Sequence, residues 1–431
     1  MKRESIESLK WQMISPDKHG DWLNKRNDKF LDLIPLYPKH KFDENSESFF
    51  VTCSNGIASN RDDWVYNFSS EAVCQNMQKM INYYNEQCRN YQKVKIKDTK
   101  INLDNFIDNN LARIKWSADL KKDLNRNIEH SFNLNDTKIA LYRPFCKENV
   151  QLNKNFIERS GSFDKLFPTR KETNLVVTVS GICSGMRFST LISDEIIDYQ
   201  IHTKCFPLYW YEKRAKTQNK FFDSSDKEYI RHDGVSDFIL EQAVKKYGAE
   251  VTKKDIFYYV YGFLHSTDYR KTFSADLKKS LPHIPLIESQ KDFWAFSEAG
   301  KKLAELHLNY ENHPKPKEVR VSGEESQDFK VQKMRFVDKN KKDAVVYNGK
   351  ITISDIPKEV YDYVVSGRSP VEWIMERYQI RIDKDSGIKN DPNDWPKECG
   401  NPRYILDLLL SVMTLSIETQ KITNALPKLK F

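Results

Sequence analysis

Five times along the chain an arginine stands beside, or within a few residues of, an aromatic ring: Arg61 with Trp64 and Tyr66, Tyr142-Arg143, Arg187-Phe188, Tyr269-Arg270 and Arg377-Tyr378. A guanidinium can pair in bidentate fashion with guanine or with phosphate, and an aromatic ring can stack on a base or wedge between base steps. Each pair also has a plainer use, in which the ring fills core and the arginine caps a helix or meets a carboxylate. Arg61 and Asp62, at the lip of a turn, can pair with each other as readily as touch a ligand. Small residues add a second kind of candidate. Ser180-Gly181 and Ser184-Gly185 follow the run Val176 to Val179, where a phosphate or base edge can approach the backbone and where ordinary turns also occur.

Signatures of catalysis are missing. The sequence has no GxxxxGK[ST], no GxGxxG after a strand, no GxSxG and no His-Glu-x-x-His. It also lacks the Asn/Asp-Pro-Pro-aromatic segment with which adenine methyltransferases hold a flipped base. The nearest approach, Asp391-Pro392-Asn393-Asp394-Trp395, has one proline where two are needed and reads as a turn. Carboxylates with spaced lysines are too plentiful for a nuclease pattern to be credited. Seven cysteines without a CxxC pair argue against a disulfide framework or a paired-knuckle zinc site. Cys183, His202 and Cys205 come nearest to a metal cluster and fall short of the four regularly spaced ligands of structural zinc. The absence of every common catalytic signature favours a binding module.

Composition bounds the partners. The 431 residues carry 69 basic and 61 acidic side chains, a net charge of +8 that permits a polyanion by counterion release without demanding one. With 30% charged and 39% hydrophobic residues the chain has the profile of a soluble globular protein. No run reaches the roughly 18 apolar residues of a spanning helix, and MKRESIESLK lacks the apolar core of a signal peptide, so a cytoplasmic protein is expected.

The elements that must position these residues are partly legible. Gly367 to Trp395 reads as a helix opened by Ser369-Pro370, because serine accepts an orphan amide and proline has none to lose. A polar, turn-rich loop from Asp383 to Trp395 follows, with Arg377, Arg381 and Lys384 at the helix end and loop entrance. Upstream, FLDLIPLYP reads as an extended connector and Phe49 to Cys53 as a short strand. Met77, Met80, Ile81, Tyr84 and Cys88 form one helical stripe, and a second helix is read from Leu111 to Leu124, giving a helical hairpin. Lys138 to Glu212 is β-rich. Val235 to Tyr247 is helical, and Lys254 to Leu264 is apolar nearly all round, as befits the buried central post of a domain. Helices through Leu277 and from Phe296 to Tyr310 follow. A second β-rich region spans Pro314 to Pro357, with turns at Asn340 to Asp343 and Asn348-Gly349, and Tyr404 to Leu415 is a last buried helix. The expected fold class is α+β: a mainly helical connector over residues 1–130, then a mixed domain over 131–431 with two β-rich regions around buried helices.

Four stretches resemble the C-terminal part of Type ISP restriction-modification enzymes, bacterial single-chain proteins that join nuclease, helicase, adenine-N6 methyltransferase and target recognition. They are SNGIASNRDDWVYNF (54–68), LYRPF (141–145), YYVYGFLHSTDYRKTF (258–273) with LPHIP (281–285), and SPVEWIMERYQIRIDKDSGIKNDPNDW (369–395). The first resembles the segment leading out of the methyltransferase domain. The remainder is similar to the target recognition domain, which reads duplex DNA while a neighbouring domain flips the adenine. The resemblance implies sequence-specific recognition of double-stranded DNA in bacterial defence, with no catalysis by this chain alone. S-adenosylmethionine, ATP and Mg would belong to the methyltransferase, helicase and nuclease domains, whose motifs the sequence lacks. An excised fragment, a split-gene product or a remnant is the expectation, with those domains or subunits and duplex DNA as partners. The candidate DNA contacts are Arg61, Arg143, Ser184, Arg187, Arg270, Arg377, Arg381 and Lys384, expected at loops or helix ends. Two rival readings are a diverged methyltransferase or nuclease, and a structural subunit that docks a methyltransferase through Trp64, Trp116 and the N-terminal helices.

Overall fold

The structure, a computed structural model, describes residues 11–40, 42–43, 45–97, 100–180, 187–201, 204–214 and 228–431. Near the start, Ile34–Pro35 forms a two-residue strand, β1. Phe49 to Cys53, expected as a strand, makes only an isolated bridge from Phe50 to Val235. Its backbone partners come from two separate places, Pro35-Leu36 on one side and Gly234 on the other, so no single edge is available for a ladder. Phe49 and Phe50 are instead fully buried, with the Phe50 ring against Phe206 and Phe257.

A short helix α1 (Asp62–Val65) and strand β2 (Tyr66–Asn67) lead into the long helix α2 (Ser70–Lys97). The expected stripe is its buried face, extended at both ends by Val73 and Tyr91. The second helix is shorter than its pattern suggested: α3 covers Leu103–Phe106 and α4 Ala118–Asn125, capped by the Ser117 hydroxyl. Leu111 to Lys115 lies in turns, because Asp108 and Asn110 side chains accept from backbone amides two residues on. Such local bonds compete with helix.

The first β-rich region holds β3 (Thr137–Arg143), β4 (Cys146–Gln151), a short helix α5 (Phe163–Leu166), β5 (Val176–Val179), β6 (Thr190–Ser193), β7 (Ile196–Ile197), β8 (Lys204–Pro207), β9 (Tyr209–Lys213) and β10 (Tyr229–Asp233). Sheet orders are β2-β4-β3-β7, β6-β5-β8 and a β9-β10 ribbon; among these described strands the β3–β7 pairing is parallel and the others antiparallel. Next come α6 (Asp237–Tyr247), α7 (Lys253–Leu264), α8 (Thr267–Thr272), β11 (His283–Ile284), which pairs with β1, and α9 (Gln290–Leu308).

Helix α7 is the central post its sequence predicts: a Thr252/Asp255 capping box opens it, and every residue from Ile256 to Leu264 is buried. It crosses α9 where Gly262 faces Gly300. A side-chain carbon on Gly262 would overlap the Phe296 carbonyl, and one on Gly300 the Tyr258 carbonyl. Gly300→Ala is therefore expected to destabilise by about 1–3 kcal/mol, the usual cost of overpacking, measured by urea unfolding; an unchanged midpoint would show that the helices separate freely.

The second β-rich region is one antiparallel sheet of β12 (Arg320–Ser322), β13 (Arg335–Phe336), β14 (Val345–Val346) and β15 (Thr352–Ser354) in the order β12-β15-β14-β13, and both expected turns join neighbouring strands. Helix α10 (Pro370–Arg377) starts where Ser369-Pro370 predicts, with Glu372 completing a capping box. The loop after it folds into a hairpin of β16 (Arg381–Ile382) and β17 (Lys389–Asn390), then α11 (Asp394–Cys399); α12 (Tyr404–Asn424) runs on past Leu415.

One hydrophobic cluster joins α2, the β2-β4-β3-β7 sheet, the second β-rich sheet, α10 and α12, while the other gathers α6 to α9 over β5 and β8. Residues on both sides of position 130 share the first. Its seam is polar: Asn67 Nδ2 donates to the Lys389 carbonyl, the Phe68 amide donates to Asn390 Oδ1, and Asn390 Nδ2 donates to Glu148. The mixed α+β class and the two β-rich regions around buried helices are as expected.

Candidate nucleic-acid interface

Three segments converge on one cleft. Arg187, Phe188 and Ser189 lead into β6, α8 follows directly on α7, and Asp362 to Gly367 runs up to the cap of α10. With Gln420 of α12 they enclose a cavity of about 620 Å3 lined by Arg187, Arg270, Lys271 and Lys278 against one carboxylate, Asp362. Arg187, Lys271, Lys278 and Asp362 are exposed. Among the described residues the first three have no ion-pair partner.

Arg270 sits deeper. The Ser266 hydroxyl accepts the Tyr269 amide and starts α8, which carries Arg270 one position on. Its Nε donates to the Leu264 carbonyl at 2.6 Å, and its guanidinium lies over the Phe188 ring at 5.6 Å. Burial pulls its pKa below the usual arginine value. Beneath it is a buried polar network. His307 bonds the Tyr261 hydroxyl through Nδ1 and Thr419 through Nε2 and stacks on Tyr363 with centroids 5.3 Å apart. His265 Nδ1 lies 2.8 Å from the Tyr261 carbonyl and must donate to it. Burial and then the Arg270 charge push the His265 pKa well down, and burial brings His307 to about 3, so both rings are neutral.

The other candidates do not reach this cleft. Arg143, at the end of β3, is buried; its Nη1 meets Asp198 at 2.7 Å and its Nη2 meets Asp62 at 3.2 Å and Gln200 at 2.7 Å. Burial works against its charge, but Tyr142, Asp198 and Asp62 hold its pKa above the usual value. Arg61, the N-cap residue of α1, is buried and donates from Nη1 to the Phe156 carbonyl, with no bond to Asp62, whose carboxylate serves Arg143 and the Ser59 hydroxyl. Arg377 ends α10, paired with Glu376 at 2.8 Å and set over Trp373. Arg381, in β16, donates to the Glu376 carbonyl. Lys384 is exposed in the β16–β17 turn. Its neighbours Asp383, Asp385 and Ser386 line a second cavity of about 450 Å3 with Arg61, Asp62, Asp63 and Asp198, a wall richer in carboxylate than in cation.

Loop or helix-end placement thus holds for Arg61, Arg187, Arg377 and Lys384. Arg270 stands in the last turn of α8, whereas Arg143 and Arg381 lie in strands. Ser184 lies outside the described residues, as do Cys183 and His202, and no group of His, Cys, Asp or Glu among the described residues is placed to hold a metal. Trp64 is buried, and Trp116 is half-buried with its indole N–H donating to the Asp108 carbonyl. Lys271, Lys278 and Tyr363 escaped the sequence reading. Lys271 adjoins the flagged Tyr269-Arg270 pair, which was the available signal; Tyr363 had none.

This arrangement of small sheets around buried helices is shared with solved restriction-modification enzymes. Similar solved structures include a nuclease-deletion mutant of the Type ISP restriction-modification enzyme LlaGI in complex with a DNA substrate mimic, at 36% identity and TM-score 0.83, covering 98% of this chain and 37% of that one. The ATP-dependent Type ISP enzyme LlaBIII bound to DNA matches at 34% identity and TM-score 0.84, over 97% of this chain and 26% of that one. DrdV in its DNA complex, at 23% identity and TM-score 0.82 over 100% of this chain and 42% of that one, shares the fold. The family model of the Type ISP C-terminal specificity domain matches residues 48–408, and the chain belongs to that family. It spans little more than a third of the LlaGI chain and about a quarter of the LlaBIII chain. No curated protein matches it. No helix among the described residues is long and apolar enough to cross a membrane.

Proposed function

We propose that the chain recognises a specific sequence in double-stranded DNA on behalf of a restriction-modification enzyme, and that the cleft between β6, α8 and α10 is part of its DNA-facing surface. The observation that carries this reading is the set of four cations facing a single carboxylate in one cleft of a specificity-domain family member whose solved relatives hold DNA. Exposed cations that are not engaged with carboxylates are free to displace counterions from phosphates. Arg187, Lys271 and Lys278 are the first contacts in this reading, with Lys384 on a separate turn, while Arg61, Arg143, Arg377 and Arg381 support the scaffold. The chain does no catalysis by itself. S-adenosylmethionine, ATP and Mg are handled by methyltransferase and helicase-nuclease domains or subunits, in the cytoplasm.

Binding of the 431-residue chain to random and selected duplexes, titrated across salt, tests it. Affinity should fall steeply with salt, and combining R187A, K271A and K278A should lower the salt slope by about 0.9 for each phosphate that is no longer neutralised. A flat salt response in the wild type would sink the proposal.

A further inference from the structure

The floor of the basic cleft holds buried polar atoms without protein partners: Nη2 of Arg270, the hydroxyl of Tyr363 and Nε2 of His265. Native proteins bond nearly all such atoms, so several gathered beside one cavity point to a ligand. Two of these atoms are donors on residues that line the cavity, Nη2 of Arg270 and the hydroxyl of Tyr363, each buried just beneath its wall. Both are held in place before any ligand arrives. Arg270 is tied through Nε to the Leu264 carbonyl and lies over Phe188. Tyr363 stacks on His307, which Tyr261 and Thr419 fix from either side. His265 lies behind them, its ring 5.6 Å from that of His307; with Nδ1–H donated to the Tyr261 carbonyl, its Nε2 is an acceptor and does not serve an anion.

We infer that this floor is a phosphate seat, in which one phosphodiester of the duplex backbone accepts hydrogen bonds from Arg270 Nη2 and the Tyr363 hydroxyl while Arg187, Lys271 and Lys278 surround its charge. The inference rests on the DNA-recognition reading and narrows it. A phosphate is favoured over a base edge because the wall carries four cations against one exposed carboxylate, a surplus that a neutral base leaves uncompensated. The same chemistry would admit a free phosphate, so the test separates the two sources.

A duplex selected from a random library by the wild-type chain is scanned with single methylphosphonate linkages, each of which removes one backbone charge. One linkage should weaken wild-type binding about tenfold or more, the usual strength of a charge-assisted hydrogen bond. The same linkage should cost Y363F and R270Q several-fold less than it costs the wild type, because one of the hydrogen bonds it would lose is already gone while the remaining cations still feel the lost charge. Y363F keeps the ring volume and guards against a folding artefact in R270Q, and thermal melts of both confirm the fold. If tight duplex binding persists but every linkage costs the variants as much as the wild type, the seat is overturned and the DNA reading stands. If inorganic phosphate raises the wild-type melting temperature but not that of Y363F, with no coupling on the duplex, the seat takes free phosphate and the backbone assignment falls. Loss of all salt-dependent duplex binding in the wild type removes the DNA reading itself.

Discussion

Replacing Arg143 by Met is expected to destabilise the chain by about 3–5 kcal/mol and to leave the duplex affinity of the molecules that remain folded unchanged. The guanidinium is buried between Asp198, Asp62, Gln200 and the Tyr142 carbonyl, with its carbon 3.8 Å from the centre of the Tyr142 ring. Removing it strands Asp198, itself buried, with a charge that nothing else neutralises. The cost should shrink toward pH 5, because burial already pushes the Asp198 carboxyl up to about 7 beside Arg143 and the carboxyl can escape by taking up a proton. R143M/D198N should recover part of the loss, since both charges are then absent. Urea unfolding of the two variants checks this. An R143M chain as stable as the wild type but deaf to duplex would return Arg143 to the DNA contacts.

The second large effect concerns Glu148, buried in β4 with Oε2 accepting from Asn390 Nδ2 at 2.9 Å. Burial outweighs the Asn390 bond and the charges of Arg143, Arg377 and Arg381, and pushes its carboxyl from 4.5 up to about 7. The folded chain therefore holds this proton more tightly than the unfolded chain. The stabilisation is fully present below about pH 4.5 and is lost as pH rises through about 7, a change of about 3 kcal/mol. Glu148→Gln mimics the protonated form and can still bond Asn390. It should match the wild type near pH 4.5 and exceed it by about 3 kcal/mol at pH 8. Glu195 and Asp198, also pushed up to about 7, add their own pH dependence, so the quantity to measure is the difference between E148Q and wild type at each pH. A difference that stays constant from pH 4.5 to 8 would show that Glu148 ionises normally.

What the sequence made legible was local. The α2 stripe, the all-round apolar α7, the Ser369-Pro370 start and the Asn348-Gly349 turn depend on residues within a few positions of one another, and each formed where expected. The arginines were not legible, because Tyr142-Arg143 and Tyr269-Arg270 look alike in the chain and differ only in what tertiary structure brings to them. The carboxylates that occupy Arg143 stand 55 and 81 residues away, whereas Arg270 meets a carbonyl six residues back and an open cleft. Lys271 and Lys278 become part of a cleft only where the fold brings Asp362 to Gly367 alongside them. Phe49 to Cys53 failed as a strand because its hydrogen-bond partners were scattered, which no pattern of alternation records.

The polar seam from Asn67 and Phe68 to Lys389 and Asn390 sets a timetable for biosynthesis. Its partners are 322 residues apart. At about 5–20 residues per second, a ribosome needs roughly 15–60 s between making the first side of that seam and the second. During that interval β2 and the start of α2 wait with one edge unsatisfied, and the β2-β4-β3-β7 sheet cannot be sealed. Such long-range closure is slow to nucleate. The late β16–β17 hairpin is therefore the latch of the domain, and a nascent chain stalled before it is the species that chaperones and proteases would meet.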